Sequence, residues 1–273
     1  MIKIIIHCAD IHIRTYHRFE EYSEIFNTFI EKCKKIVEPY EYNEARILIS
    51  GDFFNNKNQV SNELIIFASM FLRQLEQIAP VIVIAGNHDT IVGNSSRTDT
   101  LTGLFNTANF EHCSYLDEQL DYKSGCIIDD NVVWALYSIF DDYAVPNLDS
   151  VKTSLETRVI GLYHGNVVGA TLNNGTVMDD GLDGDKFEGC DCVMAGHIHK
   201  RQVLKRGDVE IVFPGSLIQQ TFGETISQHG FAVWNLEDMT YKFEDIESNY
   251  SLYDMEIDNF DDIDNNKEKL INF

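Results

Sequence analysis

Apolar residues follow two rhythms along this chain. Short unbroken runs at residues 2–6 (IKIII), 47–49 (ILI), 81–85 (VIVIA), 132–139 (VVWALYSI), 158–163 (RVIGLY) and 190–196 (CDCVMAG) each predict a buried strand. The other rhythm is helical: Tyr22, Ile25, Phe26, Phe29, Ile30, Cys33, Ile36 and Val37 recur at steps of three and four, predicting an amphipathic helix over 20–37 that Pro39 stops. A second helix is expected from about Ser61, an N-cap residue, to Ile78, just before Pro80. Residues 97–110 read as loop plus a short helix, and 165–185, rich in Gly, Asn and Asp, as a long loop. QVLKR, EIVFPG, GFAVWNL and MTYKFEDI, up to about Glu256, alternate in the manner of antiparallel strands. The β-α-β opening implies a parallel pair, so the fold class expected is α/β, with two packed mixed β-sheets flanked by helices.

Polar residues are placed where those strands end. Asp10 and His12 follow the first, Asp52 follows Gly51 at the end of the second, and Asn87, His88 and Asp89 follow the third; His164, then His197 and His199, close two later ones. A lone HxH or DxH is more often a surface or capping feature, and Gly-Asp after a strand is a common turn. Five such clusters, each terminating an apolar strand, instead suggest convergence on one sheet edge and a metal site. Carboxylate, amide and imidazole donors suit manganese, iron or zinc better than calcium, and the lack of thiolates disfavours a structural zinc. So many ligands call for two divalent metal ions. With Asp52 between them the ions would lie ~3.5–4 Å apart, the spacing that activates a water and clamps phosphoryl oxygens in an in-line displacement. Phosphoester hydrolysis is the chemistry implied.

Composition narrows the setting. With 273 residues and 44% hydrophobic content, the chain suits one large α/β domain. It has no apolar run long enough to span a membrane, and MIKIIIHCAD is interrupted too soon to be a signal peptide, so a cytoplasmic location is expected. Six scattered Cys show no CxxC pairing, which argues for buried thiols rather than a disulfide scaffold. The net charge of −23 works against unaided binding to a polyanion; bound cations or a basic partner would have to offset it. Acidic residues gather at Asp254, Glu256, Asp258, Asp261, Asp262 and Asp264, expected to form a solvated tail.

The motifs DIH, GDFF, GNHD, the single His164 and GHIH, in that order, resemble the metallophosphoesterase (calcineurin-like) superfamily over about residues 1–250. The resemblance implies a four-layer sandwich, one metal on Asp10, His12, Asp52 and His199, and the other on Asp52, Asn87, His164 and His197. It implies catalytic roles for His88, which would contact the phosphate and assist the leaving oxygen, and for Asp89, which would orient it. GHIH together with FPGSLIQQTFGE (213–224) and HGFAVWNLE further resembles SbcD-type double-strand-break repair nucleases. That implies a manganese-dependent DNA exonuclease and endonuclease acting with an SbcC-type coiled-coil ATPase, with homodimerisation through the amino-terminal helices. Residues 251–273 then read as an acidic tail, the start of a capping or partner-binding region.

Two other functions compete. A small-substrate metallophosphoesterase, acting on phosphomonoesters or cyclic nucleotides, would use the same metals and suits the acidic charge better. A catalytically dead scaffold would have lost ligands, and none is lost here. Among other residues, His7, His17, His112 and His229 are expected to be structural or surface histidines. Cys190 and Cys192 should share one strand face as packing residues, and Arg14, Arg97 and Lys200 are placed to meet phosphates.

Overall fold

The computed structural model describes residues 1–14, 18–57, 60–93, 97–149, 151 and 157–253. His17 and the acidic stretch from Asp254 onward lie outside them.

Ile4–Cys8 (β1), Ala45–Ser50 (β2), Val81–Ile84 (β3) and Cys113–Tyr115 (β4) lie parallel in one sheet. The second sheet holds Gly125–Asp129 (β5), Val132–Tyr137 (β6), Arg158–His164 (β7), Cys192–Gly196 (β8), Gln202–Arg206 (β9) and Val209–Phe213 (β10), in the order β5-β6-β7-β8-β10-β9. Its four inner strands are parallel, with β5 and β9 antiparallel at the edges. The chain then returns to the first sheet: Gly230–Asn235 (β11) pairs antiparallel with β1, and Thr240–Asp245 (β12) with β11. The expected run of antiparallel strands is thus divided. β10 joins β8 in parallel, and GFAVWNL and the strand after it belong to the other sheet.

The apolar runs are unbroken because both faces of each strand are covered. In β1 and β2, Ile4, Ile6, Ile47 and Ile49 face a core built with helices, while Ile5 and Leu48 face the opposite sheet. The helical core is supplied by Phe19–Val37 (α1), Asn62–Glu76 (α2) and Thr100–Ala108 (α3), through Phe26, Phe29, Leu72 and Leu104 among others. Ser61 caps α2 by accepting from the Leu64 amide, and Asp99 caps α3 by accepting from that of Thr102. A single turn, Leu116–Gln119 (α4), packs on β3 and β4. Between the sheets lie Ile82, Trp134, Leu136, Ile160, Met194 and Trp234. Among the described residues, the outer face of the second sheet is covered by Val167 and Ala170, from the segment the sequence marks as loop, and by Phe187 just after it. Isolated bridges Val167–Leu182 and Thr171–Val177 fold that segment on itself. Cys190 precedes β8 and packs on this outer face, whereas Cys192 faces the other sheet, so the two do not share a face.

The sheets are latched at the end of the parallel strands opposite their carboxyl ends, where antiparallel β5 finishes. Arg46 of β2 donates Nε and Nη2 to the two carboxylate oxygens of Asp129 on β5, each at 2.7 Å, and Trp134 Nε1 reaches the same carboxylate at 3.1 Å. Burial alone would raise the Asp129 carboxyl, but the guanidinium holds it below the usual range. Its contribution is therefore present above the unfolded carboxylate pKa and fades as the pH falls through the folded value. Asp129→Asn should cost about 1–3 kcal/mol at neutral pH. Thermal unfolding should show the gap to wild type closing in acid.

Candidate metal centre

The carboxyl ends of the parallel strands of both sheets meet along one seam, and the polar clusters lie there. Four non-glycine residues on it have left-handed backbones: Asp10 (φ 51°), His12 (49°), Asp52 (51°) and His197 (92°). Such conformations are costly and persist only where surroundings over-determine them. Here the backbone itself does so, since Asp10 N donates to Gly51 O (3.2 Å), His12 N to Asp52 O (2.9 Å) and Ile13 N to Phe53 O (2.9 Å).

Side chains then cross from sheet to sheet. The His197 amide donates to Asp10 Oδ1 and Oδ2 at 2.9 and 3.0 Å, and His164 Nδ1 lies 2.8 Å from Ser50 O. His197 Nδ1 and Asn87 Oδ1 are 2.8 Å apart, and the Nε2 atoms of His12 and His199 are 3.0 Å apart. Asp52 stands in the middle. Its Oδ1 accepts the His88 amide at 2.7 Å, and its Oδ2 lies 3.2 Å from His164 Nε2 and 3.5 Å from His12 Nε2. The approach needs a glycine at 86, because a Cβ there would sit 2.2 Å from Asp52 Oδ1.

All seven residues expected to bind metal are brought together, and so is His88. Their donor atoms form three groups, each within 4.8 Å: Asp10, His12 and His199; Asp52, His164 and His197; His12, Asp52 and His88. The donor set fits divalent cations. His164 Nδ1 donates to a carbonyl, so its Nε2 turns toward the Asp52 carboxylate, 3.2 Å away. A lone pair facing a carboxylate repels unless a positive charge lies between them.

Electrostatics agree. Burial, reinforced by Asp52, pushes the Asp89 carboxyl up to about 8; burial also raises Asp10, to about 6. Asp52 stays ionised, because the charged His164 and the His88 amide outweigh its burial. Burial drives His12 well below the usual imidazole range and His197 down to about 4, leaving both neutral, the form that ligates. His164 is opposite: burial would lower it, but Asp52 carries it up to about 9.

A supporting layer holds these groups, and the sequence did not reveal it. Buried Glu224 accepts from His199 Nδ1 at 2.8 Å and from the Gln220 amide at 2.8 Å, raising the imidazole against its burial. It is the acid of the FGE segment, so a signal was present without its role. His88 Nδ1 lies 2.8 Å from Asn55 O. The expectation that Asp89 orients His88 is not met, because the Asp89 carboxylate is committed to the amides of Phe53 (3.2 Å), Phe54 (2.8 Å) and Gly86 (2.9 Å). It braces the two strand-end loops instead. Buried Asp117 similarly ties the Ala85 amide (2.8 Å) to the Ser138 hydroxyl (2.5 Å).

The flanking residues sort themselves. His7 is fully buried with Nε2 2.8 Å from Ser50 Oγ, and its burial lowers it to about 3. His229 is buried against Ser216 and Thr225, and exposed His112 stacks edge-on to Tyr42. Arg14 reaches Gln220 Oε1 at 3.1 Å, while Lys200 lines the groove beside His199.

The chain matches the model of the calcineurin-like phosphoesterase superfamily domain over residues 4–239 and belongs to that superfamily. Its members are metal-dependent phosphoesterases, and the three donor groups are the candidate ligand positions. The chain is 34% identical over 258 residues to an uncharacterized protein of Acanthamoeba polyphaga mimivirus, covering 91% of this chain but 18% of that protein. It is 24% identical to a protein named as a phosphoesterase from Invertebrate iridescent virus 3, over 74% of this chain and 55% of the relative. The chain thus spans only part of the length of these relatives. An archaeal phosphodiesterase structure is similar at a TM-score of 0.40 and 15% identity, over 88% of this chain and 97% of that one. Among the described residues no helix is long and apolar enough to cross a membrane.

In the metal-free protein, His164 should remain an imidazolium to above pH 8, and Asp52→Asn should bring it below the ordinary histidine value of about 6.5. A 15N-imidazole NMR titration reads both; a neutral His164 at pH 7 in the wild type would refute the assignment.

Proposed function

We propose that the chain is a dinuclear-metal phosphodiesterase, most specifically a manganese-dependent DNA exonuclease and endonuclease acting with an SbcC-type coiled-coil ATPase. The observation that carries the hydrolytic reading is that two donor groups meet at Asp52. One metal would be held by Asp10, His12, Asp52 and His199, the other by Asp52, Asn87, His164 and His197. Mixed oxygen and imidazole donors suit manganese, iron or zinc better than calcium.

When bound, the two cations supply a lowered water pKa and neutralise phosphoryl oxygens. The chain's own residues do the rest. His88 is fixed at both ends: its amide is on Asp52 Oδ1, and its Nδ1 faces the Asn55 carbonyl. With Nδ1 donating to that carbonyl, Nε2 faces the seam, and in the imidazolium form it carries a proton to deliver. The water oxygen, having lost a proton to solvent, attacks phosphorus; the bond to the leaving oxygen breaks, that oxygen takes the proton from His88 Nε2, and solvent restores the proton to His88. Asp89 keeps the 53–54 and 86 amides in register, so Asp52 and His88 hold their spacing. Glu224 and Ser50 orient His199 and His164.

The DNA reading is supported by the PGS-to-FGE segment, whose Glu224 is built into the centre. The greater length of the relatives leaves room for partner-binding regions outside this chain. Exposed Phe19, Ile66 and Met70 on α1 and α2 favour the dimer through the amino-terminal helices that belongs to the same proposal. A second reading, hydrolysis of small phosphoesters, is favoured by the net charge of −23.

The deciding assay is manganese-dependent cleavage of labelled duplex and single-stranded DNA beside bis-p-nitrophenyl phosphate. His88→Ala, expected to lose roughly 100- to 10,000-fold in turnover, serves as the blank. DNA cleavage absent from the blank supports the nuclease, cleavage of the small ester alone supports the second reading, and no cleavage of either contradicts both.

A further inference from the structure

We propose that the cavity between the start of α3 and the turn at residues 139–141 is a second nucleotide site, built to take a nucleoside monophosphate whose base carries an amino group. It goes beyond the hydrolytic reading and does not depend on it, since none of its lining residues belongs to the three donor groups of the metal centre.

The cavity holds about 410 Å3, within the range of small-ligand pockets. Half-buried Tyr122 and Phe140 form an aromatic corner in its wall, with ring centroids 5.1 Å apart and planes at 76°. Such a corner gives a flat base one π-face to stack on and one ring edge to abut. Arg97 and Lys123 line the same cavity, as do Asp121 and Asp141.

The corner is fixed before any ligand arrives. Asp121 and Tyr122 both have left-handed backbones (φ 52° and 58°), a conformation costly for a tyrosine that its surroundings must impose. The Tyr122 amide donates to Asp117 O at 2.7 Å, and the Tyr122 hydroxyl lies 2.7 Å from Thr102 Oγ1. Thr102 Oγ1 in turn donates to the buried carboxylate of Asp99, the N-cap of α3, at 2.5 Å. A ring held at both ends loses little freedom when a base stacks on it.

The charges suit a nucleotide better than a bare polyanion. The chain carries 44 acidic residues against 21 basic ones, yet Arg97 and Lys123 are exposed and make no ion pair among the described residues. Exposed cations are ordinary on any surface. Two of them at one aromatic corner supply the charge for a single phosphate. The carboxylates would repel further phosphates, and they can accept from an exocyclic amino group on a base edge, as a carboxylate does from the cytosine amine. Asp141 is held in place by the Ser124 amide, which donates to Oδ2 at 3.1 Å, and each carboxylate oxygen has room for more than one donor.

Isothermal titration calorimetry of the metal-free protein in EDTA, with cytidine 5′-monophosphate as the probe, tests the site apart from any hydrolysis. Wild type should bind it more tightly than uridine 5′-monophosphate, which has a carbonyl in place of the amine, and more tightly than inorganic phosphate. Phe140→Ala should weaken cytidine monophosphate roughly 5- to 100-fold, the range of one lost stacking contact. Lys123→Ala, at an exposed position, should weaken the monophosphate while leaving cytidine itself unchanged, a split that misfolding would not produce. Tighter binding of tetracytidylate than of the mononucleotide would assign the site to an unpaired nucleotide of a strand, and the reverse order to a free nucleotide.

No binding of cytidine monophosphate, equal affinity for the cytidine and uridine nucleotides, or wild-type affinity in both variants overturns the proposal. A failure of phosphodiester hydrolysis leaves this result standing, because the titration contains no metal.

Discussion

Everything at the seam depends on keeping the Asp52 carboxylate ionised while it is buried. A buried carboxylate without compensation would take up a proton. Asp52 instead receives the His88 amide on one oxygen and turns the other toward two imidazole nitrogens. Its charge is felt by its neighbours: it adds to the burial that pushes Asp10 and Asp89 toward protonation, and it pulls His164 toward the charged form. In the free protein a proton on His164 stands where the donor set calls for a cation, so loading the site with metal displaces protons.

The fold supplies this environment by joining two sheets at their strand ends. Each sheet has four parallel strands, so each presents several carboxyl ends along one edge. Direct bonds between them, from Asp10 to the His197 amide and from His164 to Ser50 O, make the two edges one site. The Arg46–Asp129 latch closes the far edge of the same interface. The strained backbones of Asp10, His12, Asp52 and His197 follow from this arrangement, since each chain must turn sharply to aim its side chain across the seam.

Most of the site's inner layer was legible because the candidate ligands are chemically distinctive and sit where apolar runs stop. α1 and α2 were legible from their period and from Ser61 and Pro39. The strand partners were less so. Nothing local in GFAVWNL distinguishes a strand that extends the second sheet from one that returns to β1, because pairing is decided by the packing of both sheets. The supporting roles of Glu224, Asn55 and Asp117 are not legible because support is carried by carboxylates and carbonyls that look like any others until the fold brings them to a histidine or an amide. Asp89 shows the converse: its place in GNHD suggested a partner for His88, whereas three backbone amides already claim it. Cys190 and Cys192 were assigned one face by a period that holds only inside a strand, and Cys190 lies before β8 begins.

Asp52 as a shared ligand is the central claim, and electron paramagnetic resonance of the manganese-loaded protein tests it most directly. Two ions bridged by one carboxylate should give the broad, exchange-coupled spectrum of a spin-coupled pair at two equivalents of manganese per chain. A six-line spectrum of isolated ions at that loading would contradict the bridge and, with it, the two-metal centre.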